Sequence, residues 1–585
     1  MMNAILNKRA LWAGAFCALL ALGGCQTLTE INENPNNLTD ERVNPAYVLT
    51  SVLSTSGTVL SDVSFSGNVT QAVLSEAMQY TQRDFLEFAV TNQFGWYSLP
   101  FDYRNLHQPL ANAAYLERRA VGNPDSLFIK GTSLTMQSMW YGFYTSVWGD
   151  IPYSEANLGT ANLQPVFDPQ KDVFVGILKS LDQANSYFKQ AGAVKSSVLT
   201  QSDILYKGDV MKWRKFANSL RLRFLVRLSE KQTDMSAAGV DIKGEVAKMV
   251  SDPTNYPLIT ASEDNAAITY PGTNTIDSWR MGGLIKPTLS EFYRIKSAAT
   301  IVNFLKEQHD PRLSVFFRPV EVQTLVRDKG AEKVIAKDET GAVKRFVKQY
   351  TSDIDTSLYV GLKIALENPD IYNQNNAADR TAALGLNASI YNSGAANPFV
   401  SYLSAMYREN KHPLVKTLFV SASEVNFLLA EAAARNWITG SAQDYYWKGI
   451  ASSLTQYGIS DGDAKVYNTV THEHVKFNLT AFQAQMKATF ASASNPIEEI
   501  VKQKWASNFT TVESWFDWRR TGFPAIGQNI ISGAQGSKIP VRYVFGESEL
   551  NYNPENVAVA ISRLEPAVND QWSKMWLIQG TGKPW

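Results

Sequence analysis

Cysteine is nearly absent from this chain: its 585 residues include two, Cys17 and Cys25. No framework of internal disulfides can hold such a fold, so a large apolar core has to supply its stability. A surplus of one charge sign is missing as well. Lys and Arg together number 55, as do Asp and Glu, so no strong field would recruit nucleic acid or an anionic surface. After Leu22 no stretch approaches the roughly 18 uninterrupted apolar residues of a spanning helix. The common local signatures of catalysis are also lacking: there is no G-x-S-x-G elbow, no P-loop and no G-x-G-x-x-G behind a strand. His472-Glu473-His474 sets two imidazoles at the spacing of one strand face, but no third ligand accompanies them, and the segment reads as a polar turn. No cofactor and no metal is expected.

What is present begins at the N-terminus. Lys8 and Arg9 precede an apolar run from Ala10 to Leu22 that ends in Leu22-Gly23-Gly24-Cys25. A short positive region, an apolar region and small residues before a cysteine make a secretory signal, with Cys25 as the residue that carries lipid. Residues 1–24 are then a signal peptide, Cys25 is the mature N-terminus, and the polar, Asn- and Pro-rich stretch to residue 44 reads as a tether. Cleavage removes Cys17, Lys8 and Arg9 and leaves a mature chain with its charges still close to balance.

From residue 45 to residue 585 the pattern is that of one broad, mostly helical domain. Val173, Ile177, Leu181, Ala184 and Phe188 fall on one face of a helix over 168–190, with Asp168 as its cap and Pro169 in its first turn. Trp213, Phe216, Ala217, Leu220, Phe224 and Leu228 do the same over 209–230, with Arg221, Arg223 and Arg227 off the stripe and expected to be solvated or paired. Ser421 and Glu424 form a capping box, and Gly440-Ser441 opens the helix that follows. Those two helices match one unit of a tetratricopeptide-like pair, and helices over 125–147 and 168–190 suggest another, although no strict consensus recurs at a fixed period. Segments 320–326 and 343–350 alternate as a small β hairpin would.

Long irregular stretches, 251–283, 352–398 and 531–555, interrupt the helices, and loops of that length in an ordered protein carry function or disorder. The segment Tyr80 to Tyr103 mixes flat rings with hydrogen-bonding ends. Sugar rings pack their axial C–H groups on an aromatic face while their hydroxyls bond to amide, carboxylate and guanidinium groups, so both types must lie close together. On that reasoning Trp96 is the candidate stacking platform, with Tyr80 and Arg83 beside it, and Trp279, Tyr270 and Tyr391 are further candidates in the long loops. The plain alternative for Trp96 is a core position.

Several blocks, taken in order, resemble the SusD/RagB family of outer-membrane nutrient-binding lipoproteins. They are Glu30 to Asn36, Trp148-Gly149-Asp150-Ile151-Pro152-Tyr153-Ser154-Glu155-Ala156, Asp203 to Tyr206 leading into Lys212 to Arg223, Asp310 to Leu313, Tyr359 to Leu362, Glu424 to Arg435, and Trp515 to Pro524. The resemblance implies a mostly α fold with four tetratricopeptide-like helix pairs supporting an irregular ligand-binding half. It implies no enzymatic activity, a location on the outer membrane facing the cell exterior, and a SusC-like TonB-dependent barrel as partner. It also implies that Trp148, Trp213, Trp515 and Trp518 are packing residues. The ligand it implies is an oligosaccharide or, in some branches, a peptide. A surface glycoside hydrolase with two carboxylates facing across a cleft, and a pure protein-interaction scaffold, are the competing readings.

Overall fold

The computed structural model describes residues 43–65, 74–84, 92–96, 103–327, 344–349, 354–374, 397–531 and 538–583. The lipidation candidate Cys25 and the binding candidate Tyr391 lie outside these. Helices dominate, and those that shape the scaffold are α1 (Pro45–Phe65), α2 (Tyr103–Arg118), α3 (Ser126–Trp148), α4 (Gln170–Ala191), α5 (Val210–Arg227), α6 (Ala422–Ala434), α7 (Ala442–Gln456), α8 (Leu479–Ser492), α9 (Pro496–Ser507) and α10 (Glu513–Thr521). The pairs α2/α3, α4/α5 and α6/α7 each pack against each other, and α8 and α9 both pack on α7. None of the described helices is long and apolar enough to cross a membrane.

Local chemistry explains most of the helix starts. Asp209 accepts the Lys212 N–H at 3.0 Å and Ser441 the Asp444 N–H at 3.2 Å, each satisfying a donor that the first helical turn leaves open. Asp168 behaves differently from the expectation. Its carboxylate accepts the backbone N–H groups of Tyr153 and Ser154 and the Ser154 hydroxyl, while the first N–H of α4, on Gln170, goes to Asp150 at 2.8 Å. The block from Trp148 to Ala156 therefore folds back to start the next helix. Ser421 caps Glu424 N–H at 3.2 Å, but the Glu424 carboxylate turns inward to Arg223 instead of completing the box.

Packing of the array relies on small residues and on paired charge. A Cβ at Gly142 of α3 would sit 2.1 Å from the Phe224 ring of α5, so only glycine lets these helices approach so closely. Arg223 grips Glu424 through two hydrogen bonds of 2.6 Å and reaches Glu513, which also pairs with Arg227. Arg520 holds Glu431 at 2.5 and 2.8 Å and Asp517 at 3.0 Å, and Lys504 meets Asp517 at 2.7 Å. These groups are almost fully buried, so each charge depends on its partner, and together they join α5, α6, α9 and α10. Of the arginines left open between solvent and pairing, Arg223 and Arg227 are thus buried and paired. Trp148, Trp213, Trp515 and Trp518 are all at most 2% exposed, as core residues are.

The β structure is sparse and differs from the expected hairpin. Strands Val322–Arg327 and Lys344–Gln349 do pair, but in parallel, with Val322 opposite Lys344 and Arg327 opposite Gln349. Parallel partners need a crossover, not a tight turn. A true hairpin joins Lys465–Tyr467 to His474–Lys476. There the two imidazoles part company: His472 bonds to the Tyr467 hydroxyl at 2.7 Å and His474 to that of Tyr359 at 2.9 Å.

Candidate functional site

Five of the six aromatic and basic residues singled out from the sequence are described, and all five are interior. Trp96 is 4% exposed and lies edge-on to Trp515 and Tyr543 at centroid distances of 5.7 and 5.5 Å. Tyr80 stacks on Trp505 at 5.4 Å and donates its hydroxyl to the Trp505 carbonyl at 2.6 Å. Arg83 places Nε 3.4 Å from the buried Glu76 carboxylate. Trp279 donates Nε1–H to the Tyr407 carbonyl, and Tyr270 meets both the Trp279 ring and the Thr417 hydroxyl. Tyr80, Trp279 and Tyr270 are brought together, but as walls of one aromatic core bridged by Phe509 and Phe65. An indole whose face is covered by protein cannot stack on a ligand, so Trp96 is not an exposed platform.

The same neighbourhood nevertheless supports a surface at Tyr293 and Arg318, on a sheet whose inner members Gln82, Lys296 and Tyr402 are buried. Four short antiparallel strands, β1 (Thr81–Arg83), β2 (Ile295–Ser297), β3 (Phe317–Arg318) and β4 (Tyr402–Leu403), make a sheet in the order β1-β2-β4-β3. Gln82 lies opposite Lys296, Lys296 opposite Tyr402, and Tyr402 opposite Arg318. Residues directly opposite across antiparallel strands share a face, so an amide, an ammonium, a phenol and a guanidinium form one row. Arg83 pairs with Ile295 and falls on the reverse face.

Each member of the row is fixed. Lys296 Nζ is 3.4 Å from Asp84, and both are essentially unexposed. Asp84 also accepts the Asn397 N–H at 2.9 Å, and the Asn397 amide in turn donates to the carbonyls of Pro369 and Tyr372. Gln82 accepts the Ala365 N–H. The Lys296 and Arg318 cations lie 5.5 and 5.7 Å from the centre of the Tyr402 ring, within range of attraction to its face. Beside the sheet, where Leu362 bridges to Ala298, the chain at Gly361 passes so close to Ala299 that a Cβ would stand 2.3 Å from its Cα.

At the open end of the row stands Tyr293, half-buried, its ring edge-to-face with Tyr402 at 4.9 Å and resting on Phe292. Burial lifts the Tyr293 phenol above its ordinary value, with Arg318 opposing the shift and Glu321 adding to it. Tyr402 is raised further by burial and by Glu321. Both phenols thus stay protonated as hydrogen-bond donors. Arg318 is half-exposed, and among the described residues its guanidinium meets no carboxylate and no hydrogen-bond acceptor. A second ring, Tyr372, lies near Lys363, 5.7 Å from its ammonium. The arrangement offers a flat ring, a free five-donor fork and a carboxylate at Glu321, held by a sheet that does not need to move.

No sequence signal marked Tyr293, Arg318, Glu321 or Tyr402. The strands that align Arg318 and Tyr402 are two residues long and come from segments far apart in the chain, so only the register brings those two together, and Tyr293 and Glu321 join them from outside the strands.

Among curated proteins none matches this chain in sequence. Solved structures do share its fold. A chitin-binding protein superposes with a TM-score of 0.66 at 21% identity, covering 92% of this chain and all of its own. A SusD homologue of Bacteroides fragilis gives 0.66 at 20% identity, again covering 92% of this chain and all of its own. A chitin-binding SusD homologue of Flavobacterium johnsoniae gives 0.61 at 19%, over 92% of this chain and 98% of its own. The family model for SusD-like proteins, described as starch-binding and associating with the outer membrane, matches residues 35–546. With that match spanning most of its length, the chain belongs to the SusD-like family.

Proposed function

We propose that this protein captures oligosaccharides at the surface of an outer membrane and passes them to a SusC-like TonB-dependent barrel, performing no chemistry on them. The observation that carries the reading is the Tyr293–Tyr402–Arg318 face. A half-exposed ring takes the apolar face of a sugar, while the Arg318 guanidinium, which among the described residues meets no acceptor, and the Tyr293 phenol take its hydroxyls. Its carboxylates do not resemble a hydrolase pair, because Asp84 is buried and occupied by Lys296 and Asn397. Family membership and the starch- and chitin-binding descriptions of the family and its relatives support the ligand class. The signal peptide over 1–24, lipid on Cys25, a tether over 25–44 and a single binding domain beyond it complete the reading: a lipid anchor on the outer face holds the binding domain beside its barrel.

The test is Tyr293→Ala, titrated calorimetrically with glycans drawn from an array of oligosaccharides and peptides. Affinity for the selected glycan falls at least tenfold while the melting temperature stays near that of the wild type. Wild-type affinity in the variant removes the site, and selection of peptides alone removes the ligand class. Cys25→Ala yields a protein that leaves the membrane fraction in a host lacking the barrel, and detergent extraction of the native membrane recovers the barrel with the wild-type chain.

A further inference from the structure

A second concave region lies on the helical side of the fold, away from the residues of the sheet-face site. α2 supplies Glu117 and Arg118, α3 supplies Leu134, Gln137 and Tyr141, and the segment after Pro152 closes a cleft of about 620 Å³. A hollow of about 520 Å³ adjoins it, lined by Leu163, Pro165, Glu549, Asn551 and Tyr552. Ala156 and Asn157 line both, so the two form one elongated groove. Each part falls in the size range of sites that hold small organic ligands, about 300–1,000 Å³.

The groups along this groove have unused hydrogen-bonding capacity. Ser138 is 2% exposed, lines the cleft, and among the described residues its hydroxyl has no partner. A buried hydroxyl left unpaired is destabilising, and a ligand able to bond to it would satisfy it. Asn157 holds a left-handed backbone at φ 61° and donates its amide to the Tyr141 hydroxyl at 3.2 Å, so the Tyr141 O–H is free to donate onward. Gln137 donates to Glu117 at 2.7 Å and to Ser133 at 2.9 Å, which leaves its carbonyl and the second Glu117 oxygen as acceptors. Aromatic surface is offered by the half-buried Tyr153 at one end and by Tyr552 at the other, whereas Tyr141 is buried. Tyr141 and Tyr153 meet edge-to-face at 4.7 Å in the cleft, and Tyr552 stands 76% exposed at the hollow.

We infer that this groove is a second carbohydrate site, taking a linear oligosaccharide that runs from the Tyr141–Tyr153 pair past Asn157 to Tyr552. The inference rests on the proposed function for its ligand class and adds a separate site. Neutral groups that both donate and accept, spaced between the rings of Tyr153 and Tyr552, match a chain of hydroxylated rings. A phosphorylated ligand would require a cationic lining, whereas here Glu117 and Glu549 offset Arg118 and Lys130.

The test uses the full-length protein in a detergent without a sugar headgroup, titrated with maltohexaose and with chitohexaose. One variant pair, Tyr293→Ala with Arg318→Ala, disables the sheet face. Another, Leu158→Trp with Tyr552→Ala, obstructs the groove at positions exposed to solvent, so folding is preserved. For at least one of the sugars the wild type binds two equivalents, and each pair of substitutions removes one of them. Ser138→Ala, a nearly volume-conserving change, weakens the groove equivalent three- to tenfold and leaves the other unchanged. A single wild-type equivalent that disappears with the sheet-face pair and survives the groove pair overturns the inference and leaves the proposed function standing. A single equivalent lost only with the groove pair supports the groove and removes the sheet face. Binding of neither sugar overturns the groove's carbohydrate assignment.

Discussion

Two groups of aromatic side chains, one around Trp96 and one around Tyr293, are built from the same chemistry and put to opposite uses. Around Trp96 the rings of Trp515, Tyr543 and Trp148 cover one another, and the Arg519 guanidinium is laid over Trp515 at 3.8 Å. Around Tyr293 the ring is half-buried against Phe292 and Tyr402, and among the described residues the guanidinium of Arg318 meets no carboxylate. Residue type does not separate a binding surface from a core. What separates them is whether every face and every donor already has a protein partner.

Substitutions on the two sides break that comparison in different observables. Trp96→Ala removes a buried indole and lowers stability by about 3–5 kcal/mol; thermal melting reads the loss, while glycan affinity measured well below the melting point stays at the wild-type value. A Trp96→Ala protein that melts normally but no longer binds would reverse the roles of the two groups. Glu431→Gln leaves Arg520 and Arg435 facing a neutral amide in the interior, and breaking a buried pair from one side costs about 3–5 kcal/mol. Denaturant unfolding measures it, again without an effect on affinity.

Acid attacks the scaffold through the same network. Desolvation pushes the Asp517 carboxyl up, but Lys504 and Arg520 outweigh it and hold it at about 2, against an ordinary 3.8. A depressed carboxylate stabilises the fold fully above its unfolded value and loses that contribution as pH falls toward its folded value. Stability therefore drops between about pH 4 and pH 2 by on the order of 2 kcal/mol from this group. Asp517→Asn flattens that part of the stability–pH curve. The smallest effect belongs to the open side: Arg318→Ala weakens glycan binding by about tenfold, near 1.4 kcal/mol, and moves the melting temperature little. An unchanged affinity would mean that its free donors are not used.

The helical scaffold was legible because its signals are local. Asp209 and Ser441 act within one turn of their own helices, and the apolar stripes of α4 and α5 are buried as their spacing requires. Asp168 was misread because its hydrogen bonds run back to Tyr153 and Ser154, and the bond it was expected to make belongs to Asp150. The supposed hairpin failed for a related reason. Alternation identifies a strand but carries no information about the direction of its partner. The five described binding candidates are interior, and a ring flanked by polar residues looks alike whether Trp515 and Tyr543, more than four hundred positions away, cover it or leave it open.

The buried pair Asp84–Lys296 has a kinetic meaning. Lys296 fixes the centre of the row through Asp84, the strand ladder fixes its neighbours, and the Tyr402 ring lies between two cations. On the proposed reading, a sugar reaching Tyr293 and Arg318 meets groups already held by this buried support, so little ordering entropy is lost on contact. Association at this row then proceeds at the pace of encounter and correct orientation, and differences in affinity between glycans appear in how quickly they leave.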